Sequence, residues 1–282
     1  MSVEVSALFV YPVKSLGGIA LDEARLGTMG LANDRRWMLV RGDGRFVSQR
    51  EIPGLSRVRC ALRDGELVLA RDGLPPLVLD SGRANGHRVP VSVWKDHWEA
   101  LDAGDNAAEW VSRAAGGDHL LRLVRLAEDR PRPQGQPERY GATVTTGFAD
   151  GAPYLLAGDD SLARLNQVLL ETGRDAVPMN RFRPNIVVSG LGAFREHALA
   201  ALHGPGYSLE PRFPCERCVV TTINQATGVP DPLREPFRTL VSLNPMPGKP
   251  RSPAFAENAI LARGDGATIR VGDRLETVPR PG

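Results

Sequence analysis

Phe213-Pro214-Cys215-Glu216-Arg217-Cys218-Val219-Val220-Thr221-Thr222 is the stretch on which the reading of the chain turns. It holds two of only three cysteines, with cationic Arg217 between them. Thiolates beside cations act as nucleophiles and as ligands for soft metals. The β-branched run over 219–223 reads as a strand, and 224–228 as a turn in which Gly228 is free to take positive φ. The two thiols are therefore expected on a turn that enters a strand, a rigid element suited to a site of fixed geometry.

Four readings of this Cys-x-x-Cys compete. A structural disulfide fits poorly with a chain whose start, Met1-Ser2-Val3-Glu4-Val5, lacks the basic lead and apolar core of a secretory leader. A zinc site needs two more ligands at matching spacing; the third thiol, Cys60, lies far upstream and the five His form no paired motif. A thioredoxin-like redox pair expects a βαβ context, whereas proline and strand flank this one. The last reading makes one thiolate the single protein ligand of a metal cofactor. Buried, inert cysteines are the plain alternative.

Working outward, 282 residues with 42% apolar content allow a large core in two closely joined domains. A net charge of +2, from 35 basic and 33 acidic residues, argues against a dedicated nucleic-acid binder. Arg far outnumbers Lys, which suits two-pronged binding of anions. The odd cysteine count fits a reducing compartment, and no apolar run is long enough to cross a bilayer. A soluble, cytoplasmic protein is expected. Abundant Gly (30) and Pro (23), spread between short apolar runs, read as many strands and turns.

Strands are expected over 3–10, with Val5, Ala7 and Phe9 on one face, and over 19–26, 34–40, 45–48, 89–94, 120–126, 186–189, 260–262 and 268–271. Residues 27–34 read as a loop and 49–53 as an irregular polar segment. Asp43-Gly44 and Asp64-Gly65 mark hairpins, the second joining 55–62 to 66–70. Helical spacing occurs over 105–115, with Asp105 or Asn106 as cap, and over 159–172, where Leu162, Leu165, Val168 and Leu169 share a face and Gly173 ends the helix. Residues 129–140, rich in proline and charge, read as an exposed loop and the domain boundary.

Several residues suit anion binding. Lys14 and Ser15 follow a strand and a proline, a place where a phosphate can be held; a solvated turn is the alternative. Arg35 and Arg36 adjoin Asp34 and could meet an anion or pair with that carboxylate. Arg183 and Asn185 would share one side of an extended segment, offering a forked cation and an amide. Asp150-Gly151-Ala152-Pro153 is small enough for backbone N–H groups to approach a ligand. No nucleotide-binding glycine fingerprint, metalloprotease His pair or serine nucleophile elbow occurs.

Tyr11-Pro12-Val13-Lys14-Ser15, Asp34-Arg35-Arg36-Trp37-Met38, Ser48-Gln49-Arg50, the run from Phe182 to Gly190 and Pro214-Cys215-Glu216-Arg217-Cys218 occur in this order. The series resembles the MOSC-domain proteins with an N-terminal MOSC β-barrel domain, the family of the mitochondrial amidoxime-reducing component and its bacterial counterparts. The resemblance implies a mainly β fold with a few helices (α+β), with an N-terminal domain over 1–127 packed on a MOSC β-barrel domain over 128–282. It implies a pterin molybdenum cofactor (molybdopterin with Mo) whose metal is held by one cysteine; by position that ligand and catalytic residue is Cys218. Cofactor-anchoring positions match Lys14, Ser15, Arg35, Arg183, Asn185, Glu216 and Arg217. Asp150, Gly151 and Ala152 align with a further contacting segment. There relatives often carry hydroxyl residues, so backbone contacts are implied. The implied activity is reduction of N-hydroxylated compounds, a reaction in which the protein's part is position and charge balance. No cysteine follows Cys218, so electrons are expected from a separate donor of ferredoxin, flavodoxin or cytochrome b5 type with its reductase. Two other readings stay open. One is a cofactor carrier or sulfur-transfer protein, since related MOSC domains end molybdenum-cofactor sulfurases whose partner domain uses pyridoxal phosphate. The other is a sugar- or peptide-binding barrel without cofactor.

Overall fold

The computed structural model describes residues 2–80, 86–127, 129, 132, 133 and 135–281. Seven strands close a barrel in the order Tyr154–Gly158, Ile186–Ser189, Ser2–Val10, Arg274–Pro279, Leu199–Gly204, Tyr207–Glu216 and Lys249–Arg263; the last pairs with the first. Closure leaves the barrel without an open edge. Every neighbouring pair is antiparallel except Tyr154–Gly158 with Ile186–Ser189. That parallel pair is bridged by the helix Asp159–Glu171, the crossover such a pair requires. The barrel is filled by Val3, Val5, Leu8, Tyr154, Leu156, Ile186, Val188, Leu202, Leu209 and Leu275.

The first strand shows how local geometry overrides simple alternation. Val3 and Val5 point inward, but the register shifts between Val5 and Ala7, and from there Leu8 and Val10 are the buried residues. A bulge turns the remaining side chains over. Ala7 and Phe9, expected on the face of Val5, are thus half-buried on the other side.

The N-terminal part is a second β assembly. Trp37–Val40, Arg122–Leu126, Asp96–Asp102 and Arg88–Val93 form one antiparallel sheet, and Arg59–Arg63, Glu66–Ala70 and Leu77–Asp80 another. Helix Asp105–Ala114 buries Ala107, Trp110, Val111 and Ala114 in a core shared with Leu39, Leu69 and Leu123. Its cap is Gly104, not Asp105 or Asn106. The Asp105 carboxylate is engaged instead by Arg122.

Several expected boundaries move. The 19–26 strand divides into Ile19–Leu21 and Glu23–Gly27, and Gly30–Leu31 pairs within the expected loop. The strand expected from 34 begins at Trp37, and 45–48 makes only isolated bridges. Residues 55–58 belong to a 3-10 turn, Pro53–Arg57, and its end. The short strand at 260–262 is the end of the 15-residue strand Lys249–Arg263, whose two prolines hid its length. Leu199–Gly204, Tyr207–Glu216 and Arg274–Pro279 were not anticipated. Helix Asp159–Glu171 buries Leu165 and Leu169, with Leu162 and Val168 half-buried and Gly173 at positive φ behind it. Within 129–140, residues 130, 131 and 134 lie outside the described residues. Around them Arg132 and Tyr140 are buried, so that stretch is not simply an exposed loop. Among the described residues no helix is long and apolar enough to cross a membrane.

Candidate functional site

The strand at the thiols precedes them. Tyr207–Glu216 carries Cys215, and the chain after Cys218 coils into a 3-10 turn, Val219–Thr222, where a strand was expected. The hydroxyls explain the reversal. Thr221 Oγ1 donates to the Cys218 carbonyl at 2.9 Å and Thr222 Oγ1 to that of Val219 at 2.7 Å. Such local bonds compete with sheet pairing and outweigh the β-propensity of the run. Gly228 has φ +73°, and its N–H closes the following turn on the Asn224 carbonyl at 2.7 Å, as the sequence led one to expect.

One cleft of about 160 Å³ brings together every site residue implied by the resemblance: Lys14, Ser15, Arg35, Asp150, Gly151, Ala152, Arg183, Asn185, Glu216, Arg217 and Cys218; Arg36, also considered for an anion, turns away toward Met29. They come from segments far apart in the chain, and the first strand, one of the seven of the barrel wall, leads directly into Lys14 and Ser15. Ser15 (φ +69°), Arg35 (φ +47°) and Arg183 (φ +56°) all sit in the left-handed region. Non-glycine residues adopt it at a cost and cluster at functional sites when they do. The extended geometry expected around Arg183 is therefore not what aims it; the reversal of its backbone is.

The side chains divide by what remains available. Asn185 is largely used, with one Nδ2 hydrogen left. Its Oδ1 accepts from Arg35 Nη1 and from the Leu155 N–H, both at 3.2 Å, and its Nδ2 donates to the Phe9 carbonyl at 3.3 Å. It thus orients Arg35, which Asp34 also holds and whose Nη2 donates to the Arg183 carbonyl at 3.1 Å. Lys14, buried, donates from Nζ to Asp150 Oδ1 at 2.7 Å and to the Phe148 carbonyl at 2.9 Å, leaving one of its three donors. Burial lowers its pKa, against the pull of Asp150. The Asp150 side chain is half-exposed; desolvation by the neighbouring protein would raise its carboxyl, but Lys14, then Arg50 and the Trp94 N–H, hold it well below the usual carboxylate range. The Glu216 carboxylate is taken by Lys249 at 2.7 Å.

Two guanidinium groups are incomplete. Arg183 donates from Nη1 to the Leu16 carbonyl at 2.7 Å and lies over the Tyr11 ring at 4.3 Å, but its buried Nη2 has no hydrogen-bond partner. Burial pushes its pKa down to about 10. Arg217 donates to Cys215 Sγ at 2.9 Å and to the Phe182 carbonyl at 2.7 Å, and its buried Nε has none. Buried polar groups are normally paired, so these two residues of the cleft each keep an unmet hydrogen-bonding capacity.

The thiols differ. Cys215 is half-buried against the Phe182–Phe255 stack, whereas Cys218 is exposed and accepts from Arg50 Nη1 at 3.3 Å. Cys60 stands apart in the N-terminal core, its thiol pushed up to about 12 by burial. Among the described residues no group of three or more His, Cys, Asp and Glu side chains could cage a metal, so a metal at Cys218 would need most of its ligands from a cofactor. Gly151 is a close fit: a Cβ there would stand 2.7 Å from Asn258 Oδ1, the atom in long contact (3.5 Å) with the Ala152 N–H.

Arg50, Trp94 and Asn258 were not singled out from the sequence. Arg50 lay within one of the blocks carrying the resemblance. Trp94 and Asn258 gave no signal, because only the folded chain brings a hairpin tip and a mid-strand amide to the cleft.

Such an architecture defines a two-part β protein: an N-terminal β domain on a closed barrel, with an arginine-rich cleft ending at one open thiol. The MOSC N-terminal beta barrel domain matches residues 2–118 and the MOSC domain residues 143–276. The chain is 31% identical over 246 residues to mitochondrial amidoxime reducing component 2 of Bos taurus, covering 84% of this chain and 71% of that protein. It is 30% identical over 284 residues to mitochondrial amidoxime-reducing component 1 of Homo sapiens, covering 95% and 81%. The molybdenum cofactor sulfurase of Bos taurus is 29% identical over 241 residues, 79% of this chain and 27% of that one. The chain belongs to the MOSC-domain family that includes the mitochondrial amidoxime-reducing components.

Proposed function

We propose that the protein binds a molybdenum cofactor in this cleft and reduces N-hydroxylated compounds, with the Cys218 thiolate as the protein's ligand to the metal. The observation that carries the reading is the gathering of Lys14, Arg35, Arg183 and Arg217 on one cleft with the exposed Cys218, where Arg183 and Arg217 each keep one buried donor without a partner. An anionic, acceptor-rich group such as the cofactor's phosphate and pterin fits them. When bound, the cofactor supplies two-electron chemistry: N–OH with two electrons and two protons becomes N–H and water.

The chain's own residues hold and orient. Arg183, Arg217 and the remaining Lys14 donor neutralise negative charge. Asp34 and Asn185 fix Arg35 beside them. Ser15, Gly151, Ala152 and Glu216 offer backbone or short polar contacts along the wall. Arg50, aimed at Cys218 Sγ, steadies charge on the sulfur. Electrons come from a separate donor of ferredoxin, flavodoxin or cytochrome b5 type.

Replacing Cys218 by Ser is expected to abolish benzamidoxime reduction and cut molybdenum retention by more than about ten-fold, the scale on which the loss of even a ligand's supporting partner is felt, with circular dichroism unchanged. Full activity in that variant would refute the ligand assignment. A second reading, a cofactor carrier or sulfur-transfer protein, draws support from the similarity to the sulfurase and from Cys215, a second thiol on the cleft. Steady-state reduction of benzamidoxime with an artificial donor separates the two, since a carrier shows no turnover.

A further inference from the structure

Trp94 is placed at odds with ordinary packing rules. With Lys95 it forms the two-residue tip of the hairpin between Arg88–Val93 and Asp96–Asp102, where Val93 pairs with Asp96. Its φ is +57°, in a kind of tip that favours Gly, Asn or Asp. Its side chain is 55% exposed, and it is the one aromatic among the strongly exposed apolar side chains of the described residues. Indole is among the largest apolar groups a core can use, so leaving it out forgoes a good deal of burial.

The exposed ring is nonetheless held in place. Nε1 donates to Asp150 Oδ1 at 2.9 Å, the carboxylate that also binds Lys14. Phe46 meets it edge-on, with centroids 5.0 Å apart and planes at 67°. The Arg50 guanidinium lies over the ring at 4.6 Å and the same side chain reaches Cys218 Sγ. Trp94 and Cys218 both line a recess of about 600 Å³ that continues outward from the cleft past Lys95, Asp96 and Arg132. A fixed, solvent-facing π surface next to the open thiol, with one face already covered by a cation, is a surface prepared for a flat ligand.

We propose that Trp94 determines specificity: it is the platform on which the planar, π-rich part of an aryl amidoxime or N-hydroxylated nucleobase lies, with the N–O end directed into the cleft. The assignment rests on the oxidoreductase reading for its choice of ligand. Small substrates with no ring, such as hydroxylamine, gain nothing from the platform.

The test uses the molybdenum-loaded full chain and two variants, Trp94→Ala and Trp94→Phe. Two quantities are measured. One is the ratio of kcat/KM for benzamidoxime to that for hydroxylamine, with a reduced viologen as donor. The other is benzamidoxime affinity by calorimetry without donor. In Trp94→Ala both the ratio and the affinity are expected to fall about ten-fold or more, the loss typical of a missing aromatic stack, with the change in KM. Trp94→Phe, which keeps a ring but loses the N–H to Asp150, is expected to stay within about three-fold, since a phenyl ring still offers a π face to stack on. An unchanged affinity in Trp94→Ala, or an equal loss in both variants, overturns the platform; the second result means that Trp94 acts through Asp150. Wild-type protein that binds benzamidoxime through Trp94 but reduces neither compound leaves the platform standing and removes the oxidoreductase reading instead.

Discussion

Arg183 carries a cost in stability that the proposed cofactor would relieve. A buried cation with an unsatisfied donor costs free energy, because burial removes its water and nothing in the protein replaces it. Arg183→Met keeps an unbranched apolar stem and removes that penalty, at the loss of the Nη1 bond to the Leu16 carbonyl. The ligand-free variant is expected to melt about 2–4 °C higher than wild type, equivalent to about 1 kcal/mol in a chain of this size. The same variant should lose most of its molybdenum on purification. Thermal scanning and elemental analysis of one preparation check both, and a lower melting temperature would show that Nη2 is not a liability. Asp150 behaves oppositely. Its carboxyl is held below the usual range by Lys14, Arg50 and Trp94, which outweigh desolvation, so its contribution is present above the unfolded value of about 3.9 and is lost only as pH falls through the lower folded value. The difference in melting temperature between wild type and Asp150→Asn should therefore be constant from pH 7 to about pH 4 and close only at lower pH. A gap that closes by pH 5 would mean that the Lys14 contact does not hold in solution.

Among elements, the turn after Cys218 and the loop behind it tie the barrel to the N-terminal domain. Gln225 and Gln49 exchange amide hydrogen bonds at 2.9 and 3.1 Å, and Gly228 comes down on Pro53 and Gly54. A Cβ at residue 228 would lie 3.0 Å from the Gly54 Cα, at a φ that side chains disfavour. Gly228→Ala should accordingly lower stability by about 1–2 kcal/mol, readable as a shift in the denaturant midpoint. A neutral effect would show that the loop gives way freely. This positive φ was legible in the sequence, because Asn224 to Gly228 is turn chemistry of familiar kind. So was the mainly β class, from short apolar runs between glycines and prolines, and the helix at Asp159–Glu171 from its 3.6-residue period. The 3-10 turn at Val219–Thr222 was not. Propensity reads Val-Val-Thr-Thr as strand, and only the hydroxyl bonds to Cys218 and Val219 decide otherwise. Nor could any local pattern reveal that Ser15, Arg35, Arg183 and Trp94 all take left-handed backbone. Tertiary contacts hold those angles.

At the scale of the whole molecule, the first strand does what no local segment could. Ser2–Val10 lies between Ile186–Ser189 and Arg274–Pro279 in the barrel, and the chain leaves it directly into Lys14 and Ser15 on the cleft. The strand that completes the barrel is thus also the one that delivers Lys14 and Ser15 to the cleft. Val3, Val5, Leu8 and Val10 are all but inaccessible to solvent. At about 1.5–3 kcal/mol for each fully buried aliphatic side chain, their loss amounts to about 6–12 kcal/mol. That is comparable with the 5–15 kcal/mol total stability of a typical domain. A chain of residues 128–282 alone also exposes the hydrogen-bonding edges of two strands that this one covers. It is expected to be unfolded or aggregated, without the amide dispersion of a native barrel in a nitrogen–proton correlation spectrum. Supplying residues 2–21 as a separate peptide should restore that dispersion in proportion to peptide concentration, because the peptide binds only the folded form. A well-dispersed spectrum from 128–282 without the peptide would mean that the barrel closes by another route, and that the link between closure and the cationic cleft is not obligatory.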